Sequence, residues 1–271
     1  MEIKLENLSF SYGKRTRALT DVSATFGPGV HLLLGANGAG KTTLLHLIDG
    51  LRFPSEGRCL INGGPTRHRL PSVLSKIFYL GANMALPAAN INELVSIHGQ
   101  FYPSLSAELL AENLGEFGID PAMKFTAMSM GMRQKAALAY ALALRTPILL
   151  LDEPATGLDI ESKQALQRIM ARSIDPEATV IISTHNFSDL MPLYDSLLVL
   201  DRGQLLLNAS VDEITERLAF VTTSGAAPDQ ALFSINRNGQ THSIIPNSGL
   251  IESAIDYELL YLALKNNHEL L

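Results

Sequence analysis

The chain has 271 residues, 46% of them hydrophobic and 18% charged, which excludes long disorder and allows one large domain or one domain with a small appendage. Its formal net charge of -6 argues against a nucleic-acid groove as the main surface, although backbone amides at a helix start still bind phosphate locally. A lone cysteine, Cys59, excludes an internal disulfide, fits a reducing cytoplasm and reads as a small buried residue.

Residues 1–10 alternate polar and apolar side chains, with charges at Glu2, Lys4 and Glu6, as a strand does and a signal peptide does not. No apolar run approaches the roughly 18–20 residues needed to cross a bilayer, because Arg145 and Pro147 break the longest ones. The expectation is a soluble chain whose membrane role passes through a partner. Residues 3–10 and 18–26 read as two strands joined by a charged turn, and 30–34 as a short buried strand. An apolar helix is expected over 42–51, then a turn-rich stretch with Gly57, Gly63, Gly64 and Pro65, then a strand over 77–80. From about 83 to 145 the pattern is helical, with helices over 91–98, 107–117 and 133–144. Alternation returns with strands at 148–152, 179–183 and 197–200 and helices at 161–172 and 188–193, which predicts a mainly parallel sheet with a helical block beside it. Beyond about 220, residues 222–228 read as linker, 231–235 and 243–246 as strands, and 257–265 as a final amphipathic helix. The expected division is therefore 1–219 and a small α+β extension at 220–271.

Gly35-Ala-Asn-Gly38-Ala-Gly40-Lys41-Thr42 matches the phosphate-loop pattern between an expected strand and an expected helix. Glycines let several amides point at one anion, and the helix dipole adds positive potential. Asn37, Gly38, Ala39, Gly40, Lys41, Thr42 and Thr43 are the expected nucleotide contacts, with Lys41 on the β- and γ-phosphates and Thr42 on magnesium. A glycine-rich turn binding nothing is the bland alternative. The apolar run 148–151 then delivers Asp152 and Glu153 to a strand's C-terminal edge. Asp152 is expected to hold magnesium and Glu153 to act as general base on the attacking water. Alone, such a pair is most often a solvated turn.

With these motifs in order, residues 1 to about 215 resemble the nucleotide-binding domain of an ABC transporter. The resemblance implies that Tyr12 stacks on adenine, that Met128-Ser129-Met130-Gly131-Met132 is the signature opening a helix, that Gly157-Leu158-Asp159 meets a partner subunit, and that His185 is the switch histidine. It implies ATP and magnesium, an ATP-dependent homodimer or heterodimer with Ser129 and Gly131 facing the other subunit's γ-phosphate, and a transmembrane permease as partner. It further implies a cytoplasmic place, peripheral to the inner face of the cell membrane, and a fold of P-loop type with a parallel core, an antiparallel β edge and an inserted helical subdomain. Each residue alone has a duller reading: Tyr12 an edge-strand packing residue, His185 a structural histidine, Met128 and Met132 core filling, Asp159 a cap. The run Ser-x-Gly-Met-Arg-Gln-Lys resembles the branch that exports drugs and peptides, including antibiotic-immunity transporters. Where the family has a magnesium-approaching glutamine, this chain has Ala82, with Asn83 or water as substitutes. A non-transport ATPase and a weakly hydrolysing regulatory subunit are the competing readings.

Overall fold

The computed structural model describes residues 1–13, 16–82, 86–187, 194–266 and 270. Two long strands, β1 (Ile3–Tyr12) and β2 (Thr16–Phe26), precede β3 (Gly29–Leu34), which runs through the phosphate-loop residues into α1 (Lys41–Ile48). β4 (Glu56–Ile61), β5 (Gly64–Pro65) and α2 (Pro71–Leu74) lead to β6 (Ile77–Leu80). The helical stretch holds α3 (Ile91–Ile97), α4 (Ala107–Glu116) and α5 (Met130–Ala143). Then come β7 (Ile148–Asp152), α6 (Ile160–Ser173), β8 (Thr179–Thr184), β9 (Ser196–Asp201), β10 (Gln204–Ser210) and α7 (Val211–Arg217). β11 (Leu218–Thr223), β12 (Phe233–Arg237), β13 (Gln240–Pro246) and α8 (Tyr257–Asn266) follow.

The central sheet has the order β10-β9-β3-β8-β7-β6. Its pairings from β9 to β6 are parallel, and β10 joins β9 antiparallel. Such strands must be apolar on both faces, and the period of two divides them cleanly. Leu33, Ile148, Leu150, Ile181, Leu198 and Leu200 pack on one side with α1 and the antiparallel β2-β1-β4-β5 sheet. On the other side, Leu149, Leu151, Val180 and Ile182 pack with α4, α5 and α6, while Leu32, Leu34, Leu197 and Val199 meet α8, β13 and Ile214 of α7. The C-terminal elements thus cover the stretch of sheet that the inserted helices leave bare.

The parallel core, antiparallel edge and helical insertion agree with expectation, and β6 and β7 fall on the expected residues. Three local readings differ. The stretch taken for turns contains β4, because Gly57 at φ +75° passes where an added Cβ would lie 2.2 Å from the Asn7 carbonyl; the glycine serves a close strand crossing at a β1 irregularity. α5 starts at Met130, not at 133, because the Ser129 side chain accepts the Met132 amide and caps it there. Thr222 and Thr223 are paired in β11 against His242 and Thr241, and β10 and α7 had no counterpart in the sequence reading. The helix expected over 188–193 lies outside the described residues. Cys59 is buried as expected, and burial pushes its thiol up to about 12.

Leu260 is fully buried where α8 meets the central sheet. Leu260→Ala is expected to cost about 2–5 kcal/mol in urea denaturation. A loss well under about 1 kcal/mol would mean that α8 is not part of the cooperative core.

Candidate active site

Several residues singled out in the sequence converge at the C-terminal ends of β3, β7 and β8. The loop after β3 keeps its path because Gly35 lies where a Cβ would stand 2.4 Å from the Leu200 carbonyl. Gly40, at φ +109°, occupies the cap position of α1 and provides no capping side chain. The first amides of the helix therefore stay open to an anion. Asn37 and Gly38 are exposed, and Ala39 is buried. Lys41 is only 6% exposed, and its ammonium donates to the Gly35 carbonyl at 2.7 Å and the Ala36 carbonyl at 3.3 Å.

β7 ends on Asp152, which is buried and accepts hydroxyl hydrogen bonds from Thr42 at 2.7 Å, Tyr79 at 3.2 Å and Ser183. Glu153 follows in the left-handed region at φ +54°, its amide donating to the Ser183 carbonyl at 3.1 Å and hydroxyl at 3.2 Å. One Glu153 carboxylate oxygen sits 3.5 Å from the Lys41 ammonium and 2.8 Å from His185 Nδ1. Thr156 and Thr184 hydroxyls reach the other at 3.4 Å. Glu153, His185 and Lys41 therefore form one contiguous cluster, next to the Thr42–Asp152 pair.

That pair fits a hard divalent cation, since both donors are oxygens at the edge of an anion-binding helix start. Among the described residues no group of three or more His, Cys, Asp or Glu side chains gathers to cage a metal. A cation held here would take phosphate and water as its remaining ligands, which is how magnesium is commonly bound.

The residues expected to serve another subunit stand apart from this cluster as helix caps. Ser129 caps α5, with Gly131 in its first turn. Asp159 caps α6 by accepting the Ser162 amide at 2.7 Å, and those hydrogen bonds hold its carboxyl below the usual range. Each cap is followed by a large apolar side chain in the open, Met130 at 70% and Ile160 at 76% exposure.

Tyr12 is 41% exposed, and its hydroxyl shares a 3.0 Å hydrogen bond with that of Thr43. The Arg52 guanidinium lies 4.7 Å from its ring centroid, backing one face with a cation. Arg52 escaped the sequence reading because nothing local ties it to a residue forty positions earlier. The same holds for Tyr79 and His46, whose Nε2 lies 3.1 Å from the Tyr79 hydroxyl. Behind Tyr79 opens a groove of about 560 Å³ lined by Asp49, Leu51, Arg69, Phe78, Phe101 and Tyr102, among others. Ala82 contributes only a methyl group, and Asn83 lies outside the described residues.

A family model described as ABC transporter matches residues 19–156. The chain is 32% identical over 211 residues to the ABC transporter ATP-binding protein NatA of Bacillus subtilis, covering 75% of this chain and 86% of that one. It is 36% identical over 178 residues to a cytochrome c biogenesis ATP-binding export protein of Bradyrhizobium diazoefficiens, covering 64% of this chain and 86% of that one. A solved ATP-binding subunit of an ABC transporter superimposes with a TM-score of 0.69 at 26% identity, covering 79% of this chain and 92% of that chain.

Asp49 generates a pH prediction. Burial in the groove wall raises its carboxyl to about 7, against a smaller opposing pull from Arg69. An acid whose pKa is raised by folding is tolerated while protonated, so its folded form is fully favoured only below the ordinary carboxylate value of 3.8 and loses stability as pH rises from there to about 7. Asp49→Asn should remove that loss, raising the urea midpoint most at pH 8, less at pH 5, where the loss is only partly developed, and so by unequal amounts at the two values. An equal shift at both values would show that Asp49 does not titrate on folding.

Proposed function

The chain belongs to the ABC transporter family as an ATP-binding, ATP-hydrolysing subunit, and from that premise we propose that it drives a transmembrane permease in the export of a drug, peptide or similar compound. The observation that carries the catalytic part is the contact of Glu153 with both Lys41 and His185 beside the open start of α1. Lys41 and the loop amides bind the nucleotide's phosphates. Glu153 accepts a proton from the attacking water, and His185, bonded to it, orients the γ-phosphate side of the reaction. Magnesium, when bound, neutralises phosphate charge; Thr42 and Asp152 are the residues that hold it. Tyr12 stacks on adenine with its free face while Arg52 backs the other.

The partner reading rests on the two caps. An exposed methionine beside Ser129 and an exposed isoleucine beside Asp159 suit an interface better than water. Two copies, or this chain and a related one, enclose ATP with Ser129 and Gly131 of each facing the other's nucleotide. The groove beside Tyr79, with Phe101 61% exposed, is the docking surface for the permease. The subunit then works at the inner face of the cell membrane, with 1–219 as its nucleotide-handling part and 220–271 as an extension. The export direction is supported by the Ser129-x-Gly131-Met-Arg-Gln-Lys run and by likeness to a relative named as an export protein. Ala82 favours a second reading, a subunit that binds ATP and hydrolyses it weakly as a regulator.

Glu153→Gln is expected to bind ATP and lose about 10²–10⁴ of the hydrolysis rate, the span typical for a positioned base. In the same variant ATP should drive dimer formation in sedimentation. Unchanged turnover would remove Glu153 from the base role, and near-zero wild-type turnover would favour the regulatory reading. Tyr12→Ala should weaken ATP and GTP binding alike, because stacking reads a π-face and not a hydrogen-bond pattern. Equal affinities before and after would make Tyr12 a packing residue.

A further inference from the structure

Tyr79 is the one side chain on β6 that has been placed on both the groove and the acidic pair. Its ring lines the groove, and its hydroxyl donates to Asp152 at 3.2 Å. Because that proton is committed to Asp152, the Tyr79 oxygen accepts from His46 Nε2 at 3.1 Å. His46 is then the tautomer with a bare Nδ1, and Nδ1 is indeed buried without a hydrogen-bond partner. The two rings meet edge to face at 5.0 Å, which fixes the orientation of the hydroxyl. Gly81 makes this possible: a Cβ there would stand 2.9 Å from the Tyr79 hydroxyl. The phenol therefore occupies the space directly before Ala82, whose methyl group offers no hydrogen bond.

We propose that Tyr79, oriented by His46, is a positioning residue that links the groove to Asp152, so that a change on the groove wall alters how Asp152 presents its carboxylate to a magnesium nucleotide, and the reverse. The inference rests on the reading of Asp152 as a magnesium-holding residue. A phenol is rigid beyond two torsions, so ring displacement at the groove is carried directly to the hydroxyl. Loss of that hydroxyl leaves Asp152 Oδ2 with the Thr42 hydrogen bond alone and breaks the hydrogen bond between the groove wall and the acidic pair.

The test uses the full chain and exploits its lack of tryptophan. Phe101→Trp puts a single indole on the exposed groove wall. Its emission is followed while magnesium is titrated at saturating ATP, and nucleotide binding without magnesium is measured separately with a fluorescent ATP analogue. The expected result is an emission change on forming the magnesium complex. Adding Tyr79→Phe, which keeps the ring, should leave magnesium-free binding unaltered, remove most of the emission change, and raise the half-saturating magnesium about ten- to a hundredfold, the worth of one hydrogen bond to a charged group. His46→Ala should act in the same direction and more weakly, and it carries the test should Tyr79→Phe fail to fold by circular dichroism. An unchanged amplitude and midpoint in the hydroxyl-less variant would overturn the link. So would an indole that does not respond while the analogue binds. Failure of the unsubstituted chain to bind the analogue would instead overturn the ATPase reading, and this inference with it.

Discussion

A lysine that is 6% exposed cannot stay charged without partners, and the site is arranged around supplying them. Lys41 has two carbonyls of its own loop and, at 3.5 Å, Glu153. The loop carbonyls are in reach only because the chain turns tightly after β3, and the carboxylate only because β7 ends two strands away at the same level. Parallel registers fix that level: Leu34 lies opposite Thr184, and Asp152 opposite Ser183. In the role proposed for Lys41, an arriving phosphate would meet an ammonium already held by ligands that it can replace or join. The cost of burying the cation has been met before the substrate binds, which is the physical sense of a preorganised site.

The same registers explain why so much apolar sequence is needed elsewhere. To hold three strand ends level, the strands must be central, and central parallel strands are buried on both faces. One face is closed by α1 and the antiparallel sheet. The other is shared, with α4, α5 and α6 over β7 and β8, and β13, α7 and α8 over β3 and β9. Seen this way the C-terminal elements have a structural duty. They shield from water Leu32 and Leu34 on the strand that leads into the phosphate loop, and Leu197 and Val199 on its neighbour β9.

The sequence was legible where one short segment held both the pattern and its consequence. The glycine spacing from 35 to 40, the apolar run before Asp152 and the short apolar run at 30–34 are all local, and each led to the right element. It was illegible where the meaning lay in a crossing. Gly57 looks like a turn until β4 is seen passing the Asn7 carbonyl. Arg52 looks like a loop charge until it stacks on Tyr12, and His46 like a helix filler until it meets Tyr79 on another strand. Ser129 stands between these cases. Its residue type suits a cap, but the methionines after it obscure the helix start, since helices are usually marked by polar residues in the first turn.

Ser183 shows how one small residue sets both carboxylates. Its hydroxyl donates to Asp152, and both that oxygen and its carbonyl receive the Glu153 amide. Glu153 needs such help, because a glutamate in the left-handed region at φ +54° sits in a conformation that costs of order 1–2 kcal/mol. The strain has a geometric use. In the extended form the side chain after Asp152 would continue the strand's alternation and leave on the opposite face. Turned left-handed, it comes round to the same mouth, where Lys41, Thr184 and His185 receive it. An acidic pair at a strand end is usually a solvated turn because alternation separates its members. Here a buried serine on the neighbouring strand, held in register, overrides that separation and brings two carboxylates with different neighbours to the open start of α1.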